Sequence, residues 1–168
     1  MKKTDMSVHC TTENSDQDWD VHSTWLCSLL VRLCRSLEPE IRRIPGVRNA
    51  ISLACYLVTP EQIRSLNSRY RHVDSVTDML SFPLGFPAPS RGWVLGDIII
   101  CLDALQEKAV SSGNDPDDQL SFSLAHSLLH LLGFNHEEGA DRIEMELLEE
   151  RVFADVGPAD GIARRRSA

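Results

Sequence analysis

At 168 residues, 42% of them hydrophobic, the chain carries enough apolar material for one domain with a self-sufficient core. Its five cysteines, Cys10, Cys27, Cys34, Cys55 and Cys101, are odd in number and lack a C-x-x-C pair, which argues against a disulfide framework, a disulfide-linked partner or a cysteine zinc site. No apolar run follows MKKTDM and no stretch approaches the roughly eighteen apolar residues of a membrane span, so a cytoplasmic protein is expected. The formal net charge of -8 disfavours a generally cationic nucleic-acid binder, but it is unevenly spread. Residues 32–71 hold eight arginines against three acids, and residues 72–168 hold seven basic residues against seventeen acids. Screening within about 8 to 10 Å lets such a basic segment act locally on a polyanion. A solvated helix face explains the same charges, and charge alone leaves both readings open.

In chain order, a short stretch around Val8 predicts a first strand. From Asp18 to Leu37, Trp19, Leu26, Leu30, Leu33 and Leu37 recur at helical spacing, with Trp25 and Leu29 alongside, and Glu38-Pro39 is expected to end that helix. Asn49 to Val58 is a β-branched and apolar run that reads as a strand. Thr59-Pro60-Glu61-Gln62 then carries a capping-box pattern with proline at the first helical position, opening a helix that delivers Tyr70 and Arg71 at its end. Thr77 to Phe82 and Val94 to Cys101 predict two further strands, with the turn-rich PLGFPAPSRG between them as a flexible loop. Leu102 to Ser111 and Asp117 to Leu132 predict helices. After GADR a last amphipathic helix is expected to about Asp155, with Ile143, Leu147 and Val152 inward and Glu144, Glu149 and Glu150 outward. The closing IARRRSA has no core-forming pattern and reads as a mobile tail. These elements make an α+β domain over residues 1–158, with a basic tail at 159–168.

The segment AHSLLHLLGFNH holds the chemistry. His126, His130 and His136 form an H-x3-H-x5-H array. On a helix the first two lie one turn apart, about 6 Å along the axis and on one face. Gly133 adopts positive φ cheaply, so it can end the helix and swing His136 back as a third ligand. From Leu124 to Phe134 the only clearly polar side chains are His126, Ser127 and His130, which predicts a buried helix whose imidazoles need partners. Three neutral imidazoles suit one zinc ion, and three protein ligands with an open fourth position are the catalytic pattern.

Four blocks of the chain resemble the YbeY family of bacterial rRNA-maturation endoribonucleases: LNSRYRHVDSVTDMLSFP (66–83), LGDIII (95–100), HSLLHLLGFNH (126–136) and EMELLEERV (144–152). The resemblance implies a single domain with a mixed four-stranded sheet and helices around it, and a zincin-like three-histidine metal site. It further implies metal-dependent cleavage of single-stranded RNA, with roles in maturing small-subunit ribosomal RNA and in ribosome quality control. The ribosome or its small subunit would then be a partner. Residue by residue, His126, His130 and His136 stand where the family has its ligands, and Arg71 is the arginine of its Y-R-x-x-D segment. A guanidinium there can grip a phosphate and stabilise transition-state charge. Asp74, Thr77, Asp78 and Ser81 also match and are expected to fix that arginine and frame the cleft. Asp97 is either an acceptor for a ligand histidine or a turn residue.

Ser127 stands where the family usually has glycine, and Phe134 and Asn135 replace its tyrosine and aspartate. A serine hydroxyl at 127 can bond back to the preceding turn. Two other readings stand beside the nuclease. The histidine spacing coincides with that of metzincin proteases, but Ser127 occupies the position of their general-base glutamate. A non-catalytic ribosome assembly factor with a structural metal is the third.

Overall fold

Alternation along residues 50–57 separates the two faces of a sheet: Ile51, Leu53, Cys55 and Leu57 enter the main core, while Tyr56 joins a smaller cluster on the opposite side. The computed structural model describes residues 4–12, 18–48, 50–136 and 139–159, the side chains of 8–12 and 18–23 excepted, so the Trp19 side chain and the tail at 160–168 lie outside what is described. In chain order run β1 (Asp5–Thr12), α1 (Asp18–Ser36), α2 (Glu38–Ile41), β2 (Ala50–Leu57), α3 (Pro60–Arg71), β3 (Met79–Ala88), β4 (Gly92–Ile100), α4 (Leu102–Ser111), α5 (Pro116–Leu131) and α6 (Gly139–Val156). The sheet order is β1-β2-β4-β3. β1, β2 and β4 are parallel, and β3 runs antiparallel at the edge, so the fold is α+β with a mixed four-stranded sheet. None of the described helices is long and apolar enough to cross a membrane.

Leu26, Leu30 and Leu33 of α1, Ile98 and Ile100 of β4, Leu124 and Leu128 of α5, and Met145 and Val152 of α6 share one buried cluster with the inward face of β2. Cys34, Cys55 and Cys101 are free and buried, acting as small apolar residues. On the other face α3 covers part of the sheet, packing Ile63 and Leu66 on Val58, Leu80, Phe82 and Ile99. Its start is as expected: Thr59 and Gln62 form both halves of a capping box.

Three expectations need correction. Glu38-Pro39 does not simply stop the helical path but opens the single turn α2, because proline in a first turn forfeits no intrahelical hydrogen bond. PLGFPAPSRG is no flexible loop: most of it belongs to the hairpin of β3 and β4, with only 89–91 as the turn. Its prolines are tolerated because β3 is an edge strand, whose register breaks between Pro83 and Phe86 where Gly85 takes φ 64°. The inward face of α6 is Met145, Glu149, Val152 and Val156, whereas Ile143 and Leu147 are 58% and 61% exposed.

α6 is also tied to α2 by charge. Arg151 donates to Glu40 Oε1 and Oε2 at 3.1 and 2.9 Å, and to the Ser36 carbonyl at 3.2 Å. Burial pushes the Glu40 carboxyl up, but the Arg151 hydrogen bonds and charge outweigh it and hold the group below the usual glutamate range. A lowered folded-state pKa contributes stability that is present above the unfolded value of about 4.3 and is lost as pH falls through the folded one. Arg151→Ala should therefore cost about 1 to 3 kcal/mol at pH 7 by stranding the buried carboxylate. Urea melts of both proteins at pH 7 and near pH 3.5 should show this gap narrowing with acid.

Candidate metal centre

α5 is the most deeply packed helix of the site: Leu120, Leu124, Leu128, Leu129 and Leu131 are buried, as the apolar run predicts. Pro116 opens it behind an Asp115 cap whose carboxylate accepts from the Asp117 amide at 2.8 Å. Its end is set by Gly133, at φ 95°. The Phe134 amide donates to the Leu129 carbonyl at 3.0 Å and the Gly133 amide to the His130 carbonyl at 3.1 Å, the paired bonds of a Schellman turn. This turn brings His136 back over the helix face, as the spacing predicts. His126 and His136 stack with centroids 4.9 Å apart, and His130 meets them edge-on at 4.5 and 5.4 Å.

One ligand-capable nitrogen from each ring lies within 4.8 Å of the other two. The Nε2 atoms of His126 and His130 are 3.0 Å apart. Each of these two rings is held from behind. His126 Nδ1 is 2.6 Å from Glu149 Oε1, and His130 Nδ1 is 3.0 Å from the Phe134 carbonyl. An ionised carboxylate and a carbonyl only accept, so both Nδ1 atoms must carry the proton and both Nε2 lone pairs face the same space. Two lone pairs at that distance repel unless a cation stands between them. Ligands at about 2.0 to 2.1 Å from one tetrahedral ion would lie about 3.3 Å apart, so the donor set fits zinc. Burial, with the neighbouring His126, also holds the His130 imidazole below the usual histidine range, against the pull of the Phe134 carbonyl. That favours the neutral ring a metal requires.

His126 and His130 open onto a cleft of about 360 Å³ that also contains Arg71, Asp78, Ser81 and Lys108. Arg71 is exposed at the end of α3 and donates to the Ser81 carbonyl at 3.1 Å. The structure thus brings Arg71 to the cleft that holds His126 and His130. Of the residues expected to frame it, Ser81 holds Arg71 through its backbone, while Asp78 pairs with Lys108 at 2.9 Å. Asp74 turns away to Arg64, at 2.8 and 3.0 Å. Asp97 is no acceptor for a ligand histidine: it lies on β4, facing a separate pocket. Ser127 does not bond back to its own helix but donates to the Met79 sulfur at 2.8 Å, locking α5 to β3.

Glu149 escaped the sequence reading, which set it outward. A signal was present: Met145, Glu149, Val152 and Val156 recur at spacings of four, three and four, placing a carboxylate inside an apolar stripe. Such a carboxylate, 5% exposed, needs a polar partner, and His126 is that partner. Lys108 was also missed because only the fold brings α4 to the cleft.

The family model described as Endoribonuclease YbeY matches residues 12–157. Curated relatives of that name include one from Anaeromyxobacter dehalogenans, 41% identical over 115 residues, which cover 68% of this chain and 57% of that protein. The chain thus spans little more than half of that relative's length. The relative from Agrobacterium fabrum is 33% identical over 161 residues, covering 94% and 93%, and that from Staphylococcus epidermidis is 31% identical over 154 residues, covering 88% and 96%. A Thermotoga maritima protein solved in solution shares the fold, with a TM-score of 0.51 and 22% identity over 88% of this chain and 90% of that one.

Removing the Glu149 carboxylate should free the His126 ring. Glu149→Ala is expected to weaken zinc binding about 10- to 100-fold in competition with a chromogenic chelator, with Glu149→Gln intermediate because its amide oxygen still accepts. Affinity equal to the parent protein in both variants would contradict the orienting role.

Proposed function

The chain belongs to the Endoribonuclease YbeY family, and on that premise we propose that its three-histidine cleft is the active site of a zinc-dependent endoribonuclease. Its substrate is single-stranded RNA, and its setting is the cytoplasmic maturation of small-subunit ribosomal RNA and ribosome quality control. One observation carries the reading: His126 and His130 share with Arg71 a single cleft, with the three histidine donors converging at it. A zinc ion held by His126, His130 and His136, zincin-like, would supply Lewis-acid polarisation of a phosphate oxygen and a water activated near neutral pH.

The chain's own residues do the rest. Arg71 spends one of its five guanidinium donors on Ser81 and keeps others for a phosphate, where a bidentate fork matches two non-bridging oxygens. Lys108, 52% exposed and tethered by Asp78, adds a second positive charge to the cleft. Glu149 and the Phe134 carbonyl keep two rings aimed and in one tautomer. The attacking group is water or the RNA's own 2′-OH, and the product ends tell them apart, since the latter leaves a cyclic phosphate.

The protease reading lacks its base. Ser127, at the glutamate position, is buried and bonded to Met79, and a serine hydroxyl does not take up a proton at neutral pH. The assembly-factor reading needs a closed structural site, whereas among the described residues only three donors converge, which leaves a position open.

An assay of metal-stripped and zinc-reloaded protein on unstructured and duplex RNA tests this reading. Zinc-dependent cleavage of the unstructured RNA is expected. It should be abolished in His126→Ala and slowed about 10²- to 10³-fold in Arg71→Ala, as for loss of a transition-state donor, with casein untouched. Equal cleavage by parent and His126→Ala protein would contradict it.

A further inference from the structure

The sheet face opposite the histidine helix is only partly covered by α3, and beyond it lies a pocket of about 430 Å³ that the proposed chemistry does not use. It is lined by the small residues Ser52 and Ala54 of β2 together with Tyr56, Leu84, Phe86 and Arg91. Phe86 and Leu84, two large apolar side chains on one edge hairpin, are 46% and 49% exposed. Two polar groups in the pocket are poorly served by the protein. The Ser52 hydroxyl is buried without a hydrogen-bond partner among the described residues. The Asp97 carboxyl has no described partner either, and burial pushes it up from the usual aspartate range.

A pocket lined by two aromatic rings, an arginine and two unpartnered polar groups matches one ligand chemistry. A nucleobase has two apolar faces for stacking, a polar edge for hydrogen bonds, and a phosphate attached for the arginine. A peptide strand would demand a row of backbone partners, and the β3 edge, not this face, supplies those. The pocket is also linked to the cleft. Tyr70, next to Arg71, is 52% exposed and meets Phe82 edge-on at 5.2 Å, with the Arg69 guanidinium 5.4 Å from its ring centre. Phe82 in turn pairs across the strands with Asp97. Arg71 at the cleft and Asp97 in the pocket are thus joined through their neighbours Tyr70 and Phe82.

We propose that the pocket lined by Tyr56, Phe86, Arg91, Asp97 and Ser52 is a base-binding subsite that holds a nucleotide of the single-stranded RNA away from the cleaved bond. This rests on the nuclease reading for its substrate. The subsite anchors the strand by stacking and tolerates any sequence except at the base edge facing Asp97 and Ser52, where an exocyclic amino group is favoured.

Phe86→Ala and Arg91→Ala, both exposed positions, are the variants to compare with the parent protein, zinc-loaded and checked for unchanged circular dichroism. Anisotropy with a fluorescein-labelled unstructured RNA of about ten nucleotides reports binding, and KM and kcat for the same RNA report catalysis. Loss of one stacked base should weaken binding and raise KM about five- to a hundred-fold in Phe86→Ala, with kcat unchanged. In Arg91→Ala the slope of log affinity against log salt should fall by about 0.7. Binding and KM equal to the parent in both variants would overturn the subsite while leaving the nuclease reading intact. If the parent protein binds but does not cleave, and Phe86→Ala still weakens binding, the nuclease reading fails, while the pocket stands as a base-binding site on an RNA that is held and not cut. A fall in kcat with KM unchanged would overturn the subsite, because the residue would then act on the chemistry and not on strand binding.

Discussion

Two hydrogen bonds behind the histidine rings decide what this molecule can do. An imidazole on a helix can rotate and can hold its proton on either nitrogen. Glu149 and the Phe134 carbonyl remove both freedoms for His126 and His130 by accepting from Nδ1. The lone pairs that remain face a common point, where a divalent cation could satisfy them. Without these acceptors the same three histidines would be a polar cluster at the end of an apolar helix.

The rest of the fold serves that constraint. α5 has to be buried on its other faces so that the rings have a rigid base, and Ser127 fastens it to β3 through Met79. α6 has to lie against α5 with Glu149 turned inward, and Arg151 bonded to Glu40 ties its far end to α2. The edge strand β3 presents the Ser81 carbonyl that restrains Arg71, so the guanidinium reaches the cleft from a helix on the opposite face of the sheet. Each of these contacts joins segments distant in sequence, so the site exists only in the completed fold.

What could be read from sequence was local. The capping box at Thr59 and Gln62, the glycine turn at 133 and the four-residue step between His126 and His130 each involve neighbours within one helical turn, and each appears as expected. What could not be read was which face an ambiguous helix buries. In α6, Val152 turns inward as expected, but Ile143 and Leu147 offered as good an apolar face beside it as Met145 and Val156, and only packing against α5 decides for the second pair. The prolines of 83–89 misled similarly. Edge position, which makes them compatible with a strand, is a property of the whole sheet. The pairing of Asp74 with Arg64, and of Asp78 with Lys108, likewise depends on how the loop after α3 folds back.

X-ray absorption at the zinc edge of the reconstituted protein tests the central claim most directly, because it reads the ligand shell itself. The account predicts three imidazole nitrogens at about 2.0 to 2.1 Å and one further light-atom ligand, with no sulfur. A sulfur shell near 2.3 Å, or fewer than three imidazoles around the ion, would contradict it.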